Sequence, residues 1–302
     1  MEFIRTQNKN KPVFMYLHSE LLTPQSFTPC MNVLKKKYTV VTPVLDGHGS
    51  QTDLPVANVQ KSASEILEYI DREYNGHVSI LSGLSLGAVT VLEVLAQRPD
   101  VCDFALLESP VLTPPKIHGW STGASLHAEK LARQNWFNKF MYYERFNSDG
   151  GCIDFNANYQ KMTQENIIAA VHNAENYALP EQLKDIQCKT AILIGQTENK
   201  RVKQSADRIV KTLPNVQTFM LRGCGHGDFS LGSPRDMEHF VKDFVLGREN
   251  EKPAQKQKDR QPEGEYMPNW KHIRNKMRAK KARRAKHAER LEHAKRASRA
   301  SL

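Results

Sequence analysis

Ser82-Gly83-Leu84-Ser85-Leu86-Gly87 stands between an apolar run, Val78 to Leu81, and a longer apolar-periodic one, Ala88 to Ala96. The first run reads as a buried strand and the second as a helix, so the six residues join strand to helix through small side chains. A serine hydroxyl is a poor nucleophile until a base takes its proton, and a sharp turn that lifts it toward such a base is useful. Gly83 and Gly87 flank Ser85 at the G-x-S-x-G spacing, where glycines permit the turn and the close packing around it. The other reading is a small-residue connection and nothing more. The choice between them depends on whether the chain supplies a base, an acid and an oxyanion site in the right places.

On either side of this turn, short apolar runs bounded by turn residues recur with helical patterns between them. Strands are predicted at Val13–Leu17, Tyr38–Thr42, Val78–Leu81, Phe104–Leu107, Thr190–Ile194 and Val216–Leu221. Helices are predicted near Ser26–Lys36, Val56–Tyr74, Ser85–Gln97, Val202–Thr212 and Pro234–Leu246. Such alternation predicts an open α/β architecture, a mostly parallel doubly wound sheet with chemistry at the carboxyl ends of its strands. From about Pro114 to Asp185 the rhythm stops and aromatics gather: Trp120, Trp136, Phe137, Phe140, Tyr142, Tyr143 and Phe146. A structureless loop of that length is improbable in a compact domain. A helical cap inserted over the strand ends is expected, with a helical excursion against the sheet edge as the alternative.

The base should come from a loop late in the chain. Leu221-Arg222-Gly223-Cys224-Gly225-His226-Gly227 ends that strand with a histidine among glycines. The acid should precede it and hold the imidazole in one tautomer. Thr190-Ala191-Ile192-Leu193-Ile194-Gly195-Gln196-Thr197-Glu198 delivers a carboxylate just past the preceding strand. The resulting order, Ser85, Glu198, His226, is Ser, acid, His.

At these residues the chain resembles the α/β-hydrolase superfamily, over roughly residues 10–247. The segments that carry the resemblance are YLHSE after the first clear strand, LDGHGS after the second, GLSLG at the turn, LIGQTE before the acid and GCGHGD at the histidine. The resemblance implies an α/β-hydrolase fold with Ser85 as nucleophile, His226 as general base and then acid, and Glu198 as the orienting carboxylate. Glu108, at the end of the Phe104–Leu107 strand, is the alternative acid, because some family members supply it from that site. By motif position the oxyanion hole would use the backbone N–H groups of Leu86 and Glu20. His18-Ser19 stands where the family usually has His-Gly, and a carboxylate aimed into an oxyanion site would be unfavourable. The Glu20 side chain is therefore expected to point away, or Ser19 to contribute instead. Asp46-Gly47-His48-Gly49 is expected to shape a loop near the pocket, and Cys224 to be a small buried filler. The short N-terminus leaves little room for the antiparallel strand pair that commonly opens the fold, which suggests a reduced sheet.

Charge divides the chain. Residues 1–247 hold 25 Lys+Arg against 26 Asp+Glu, whereas residues 248–302 hold 18 against 7. The basic excess thus belongs to the tail and says nothing about the front domain. Residues 248–265 read as a polar linker. Residues 266–302 read as a basic low-complexity tail: Met267, Trp270, Ile273 and Met277 share one helical face, and alanines follow three apart among lysines and arginines. Clusters such as Lys280-Lys281 and Arg283-Arg284 suit nucleic-acid phosphates or an anionic membrane surface, in a salt-sensitive and sequence-independent way. The competing reading is a solvated tail with no dedicated partner. The five cysteines, Cys30, Cys102, Cys152, Cys188 and Cys224, have neither disulfide-framework nor metal-ligand spacing. With no signal-peptide or membrane-span pattern, a cytoplasmic protein is expected.

Three functions follow from these readings. The leading one is a serine hydrolase that cleaves a carboxylic ester or thioester through an acyl-enzyme, needing neither metal nor organic cofactor. The others are a lyase or synthase of the same fold, of the menaquinone-pathway kind, and a non-catalytic binding module tethered by its tail.

Overall fold

A computed structural model describes residues 1–7, 10–112, 139, 142–143, 146 and 151–247. A seven-stranded sheet runs through it in the order β1-β3-β2-β4-β5-β6-β7. Its strands are β1 (Glu2–Arg5), β2 (Val13–Leu17), β3 (Thr39–Val44), β4 (Val78–Leu84), β5 (Cys102–Glu108), β6 (Lys189–Gly195) and β7 (Val216–Leu221). All pairings are parallel except β1 with β3, which sets Glu2 opposite Val44 and Arg5 opposite Val41. The six strands read from the sequence are present. The seventh, β1, lies outside the predicted set: four residues at a half-exposed edge carry too little alternation to announce a strand. One antiparallel strand therefore stands where a reduced sheet was expected, and Phe3 seals it by stacking on Tyr69.

Helices bounded within the described residues are α1 (Thr28–Leu34), α2 (Val59–Tyr74), α3 (Leu86–Gln97), α4 (Cys152–Lys161), α5 (Gln164–Glu175), α6 (Lys200–Thr212), α7 (Asp228–Gly232) and α8 (Pro234–Val245). Side chains alternate across the sheet with the two-residue period of a strand. Met15, Leu17, Leu81, Leu107, Ile192 and Ile194 face one core, shared with α2, α3 and α6. Phe14, Tyr16, Ile80, Leu106, Leu193 and Phe219 face the other, shared with α1, α7 and α8. Every residue of α3 from Leu86 to Ala96 is buried, so this helix is apolar around most of its circumference. Its interior carboxylate, Glu93, accepts hydrogen bonds from Tyr177 Oη at 2.7 Å and Gln97 Nε2 at 2.9 Å.

The described part of the interval without strands holds α4 and α5, followed by a short 3-10 turn over Glu181–Asp185. The remainder of the expected cap, including Trp120, Trp136, Phe137 and Phe140, lies outside the described residues, as do the linker and basic tail. The described cysteines are all free and buried. Among the described residues no helix is long and apolar enough to cross a membrane.

Candidate active site

The turn after β4 is strained. Ser85 has φ +53° and ψ −110° at the N-terminus of α3, a backbone conformation that costs a β-carbon-bearing residue on the order of 1–3 kcal/mol. It is held by neighbours on both sides: Ser85 N donates to Glu108 O at 3.0 Å, and Val89 N donates to Ser85 O at 3.0 Å. The flanking glycines are required by contact. A β-carbon on Gly83 would lie 2.3 Å from the carbonyl carbon of Gly87, and one on Gly87 would lie 2.1 Å from Leu17 O. The start of α3 thus rests directly on the end of β2.

Beyond the strand ends the parallel ladder continues by single hydrogen bonds. Ser109 N donates to Leu193 O at 2.9 Å, Gln196 N to Leu221 O at 3.0 Å and Thr197 N to Cys224 O at 3.0 Å. These bonds align the polar residues that follow β5, β6 and β7. Glu198 Oε2 lies 3.3 Å from His226 Nδ1, both side chains largely buried. The second carboxylate oxygen of Glu198 accepts a hydrogen bond from Ser109 Oγ. Ser109 itself has φ +50°, so a second strained serine supports the Glu198 carboxylate. Its one signal in the sequence is a small polar residue immediately past a strand.

Glu108 has different partners. Its carboxylate accepts from the backbone N–H groups of Phe229 (3.2 Å) and Ser230 (3.1 Å), at the start of α7. Burial pushes its carboxyl up to about 7. It anchors the helix that follows His226, while the direct carboxylate contact to the imidazole comes from Glu198.

The Glu20 side chain corrects an expectation. It points into the site: Oε2 accepts from Leu86 N at 3.1 Å and from Ser19 Oγ at 2.7 Å, and Oε1 accepts from Ser85 Oγ at 3.1 Å. The cause is the turn that carries it. Leu22 N donates to Ser19 O at 3.2 Å across a turn whose third residue, Leu21, has φ +64°, and this aims Glu20 at the start of α3. The Ser85 hydroxyl is consequently given to Glu20. His226 Nε2, the nitrogen not facing Glu198, is buried with no hydrogen-bond partner among the described residues.

The model of the alpha/beta hydrolase family matches residues 17–239 of this chain. The chain belongs to the alpha/beta hydrolase family. Solved structures agree on the fold. The thermophilic esterase from Thermogutta terrifontis superposes with a TM-score of 0.66 at 18% identity, covering 82% of this chain and 93% of its own. The carboxylesterase CesB (YbfK) from Bacillus subtilis gives 0.62 at 19% identity, covering 81% and 87%. A carboxylesterase from the thaumarchaeon Nitrososphaera gargenis gives 0.62 at 14% identity, covering 82% and 94%. No curated protein sequence matches the chain significantly.

In this member of the family, two histidines hold the loops beside the elbow. His18 Nδ1 donates to Ser19 O at 2.9 Å while its Nε2 accepts from Leu45 N at 3.1 Å. His48 Nδ1 donates to Asp46 O at 3.0 Å while its Nε2 accepts from Leu21 N at 3.4 Å. Each ring needs one bare nitrogen for these contacts, and burial lowers their pKa values to about 3 and about 4. Asp46-Gly47-His48-Gly49 thus supports the turn that carries Glu20. Cys224 is buried at the foot of the His226 loop. Polar side chains of α4 and α5 tie the described cap helices down. Asp154 accepts from Thr23 N at 2.7 Å, Asn158 from Gly49 N at 2.7 Å and Asn166 from Val56 N at 2.9 Å. Phe146 packs its ring 5.5 Å from that of His226, which brings one of the cap aromatics against the imidazole.

Proposed function

We propose that the protein is a serine hydrolase of carboxylic esters or thioesters. The observation that carries this reading is the Glu198–His226 contact at the strand ends, together with the strained elbow at Ser85. Ser85 attacks the acyl carbonyl while His226 accepts its proton through Nε2, the nitrogen that Glu198 leaves bare. Glu198, held by Ser109, keeps the proton of the neutral ring on Nδ1 and stabilises the imidazolium that forms. Negative charge developing on the carbonyl oxygen is received by the N–H groups of Leu86 and Glu20, and each such donor contributes on the order of 3 kcal/mol to transition-state stabilisation. His226 then protonates the leaving alcohol or thiol, and water releases the acyl group by the reverse relay. None of these steps calls on a metal or organic cofactor. Esterases and carboxylesterases among the solved structures of this fold support an ester substrate by analogy only.

A fluorophosphonate probe tests the assignment. The protein should be labelled, Ser85→Ala and His226→Ala should not, and p-nitrophenyl esters or acyl thioesters should be turned over with a preferred chain length. Labelling that survives Ser85→Ala would overturn the reading. A folded protein neither labelled nor active on any acyl donor would favour the lyase or binding alternatives. The basic excess of residues 248–302 supplies, on this proposal, a separate salt-sensitive attraction to nucleic acid or an anionic membrane. Deleting the segment should abolish retention on an anionic matrix and leave ester turnover unchanged.

A further inference from the structure

We propose that the Glu20 carboxylate is a built-in occupant of the oxyanion site, one that holds the Ser85 hydroxyl and the Leu86 amide in a resting state until substrate displaces it. The inference rests on the assignment of Ser85 as nucleophile.

An oxyanion-hole donor should lie about 2.7–3.1 Å from the position the oxyanion will take. Glu20 Oε2 is 3.1 Å from Leu86 N, so a carboxylate oxygen already sits within bonding distance of the donor meant for the substrate. The other oxygen takes the Ser85 hydroxyl at 3.1 Å. A carboxylate spanning the nucleophile and the oxyanion amide imitates the carboxylic acid that hydrolysis would leave at the same two groups. Ser19 Oγ, at 2.7 Å, adds a third hydrogen bond to the same carboxylate. The arrangement is built into the backbone. Glu20 is fully buried, and its turn is held by the left-handed Leu21, whose N–H is bound by the buried His48.

Two consequences follow from occupancy. Substrate must compete with a tethered carboxylate for Leu86 N, which raises the apparent KM more than it lowers kcat. Ser85 cannot pass its proton to His226 while it donates to Glu20, so the imidazole Nε2 waits without a partner among the described residues. Glu20 is a positioning residue in this account; its side chain takes no part in bond making or breaking.

The test compares wild type, Glu20→Ala and Glu20→Gln for fluorophosphonate labelling and ester kinetics, with thermal unfolding to check the fold. Hydrogen bonds to a charged acceptor are strong enough that their loss should speed labelling of Glu20→Ala about tenfold. KM should fall by a similar factor while kcat changes less. Glu20→Gln, nearly isosteric, should lie between the two and serves if the alanine variant does not fold. Added acetate should slow Glu20→Ala toward the wild-type rate, because a free carboxylate can refill the vacated place, and should barely affect wild type. Labelling of Glu20→Ala and Glu20→Gln no faster than wild type, or a Glu20→Ala rate indifferent to acetate, would overturn the inference. The two readings fail separately. Persistent labelling of Ser85→Ala removes the nucleophile assignment, whereas Ser85-dependent labelling at equal rates in wild type and the Glu20 variants removes only the resting-state role. No labelling of any of these proteins would overturn both.

Discussion

Glu108 and Glu198 follow neighbouring parallel strands, yet their carboxylates meet different groups. Glu108 is the last residue of β5 and points at the amides that open α7; Glu198 stands three residues past β6 and reaches His226 Nδ1. The extra residues carry the second carboxylate out of the sheet and under the His226 loop. On the proposed mechanism Glu198→Gln should therefore reduce kcat by on the order of 10³-fold or more, since loss of an orienting carboxylate would leave the imidazole in the wrong tautomer. Glu108→Gln should keep kcat within about tenfold, because its amide oxygen can still accept from Phe229 and Ser230. Steady-state ester kinetics on the two variants decide the matter, and the reverse order would transfer the acid to Glu108. Ser109→Ala should lower kcat by about tenfold, the value of one hydrogen bond to a charged group.

At the scale of elements, the site is a set of strand ends held in register beyond the last sheet residues. The elbow is where helix and strand approach most closely. A methyl on Gly87 would press on Leu17 O at 2.1 Å, a backbone atom that cannot yield without moving β2 or α3. Gly87→Ala should thus cost about 3 kcal/mol or more. Urea unfolding measures it, and a loss below about 1 kcal/mol would show that the junction can relax. Three of the four non-glycine residues with positive φ among the described residues, Leu21, Ser85 and Ser109, belong to the loops that carry Glu20, the elbow and the Glu198 support. Only Asn75 serves another purpose, capping α2. Strain collected at strand ends is tolerated because the two cores overdetermine the positions of the strands.

For the whole molecule, the buried titratable groups oppose one another. His18 and His48 are neutral in the native state down to about 3 and about 4. Below about pH 6.5 the unfolded chain binds their protons first, so each lowers stability by about 1.4 kcal/mol per pH unit as the pH falls. Burial raises Glu108 to about 7 and Asp154 to about 6. There the native state binds the proton first, and each adds stability at the same rate until the unfolded carboxyls titrate near pH 4. Between about pH 6 and 4.5 these four contributions cancel. Glu108→Gln removes one compensating group, so its stability relative to wild type should fall by about 1.4 kcal/mol for each unit of acidification across that window. Denaturant midpoints measured at pH 6.0, 5.2 and 4.5 check the slope; parallel curves would refute the buried, raised carboxyl.

Much of this architecture was legible in one sequence because its signals are local. Six strands announced themselves as apolar runs, and Gly83, Ser85 and Gly87 marked a turn whose spacing alone implies a strained junction. Strand β1 escaped because a four-residue edge strand is defined by its partner β3 rather than by its own pattern. The partners of the carboxylates were a tertiary decision. Whether Glu108 or Glu198 meets His226 depends on how far each loop extends past its strand, and no local pattern carries that distance. The direction of Glu20 is not legible in the sequence for the same reason: a charge beside the Leu86 amide has no visible partner in isolation, and Ser19, Ser85 and Leu86 converge on it only once β2, β4 and α3 are packed. Local periodicity therefore determined the elements and their order, while long-range packing determined which polar groups face one another, because burial leaves a polar group only the partners that the fold brings to it.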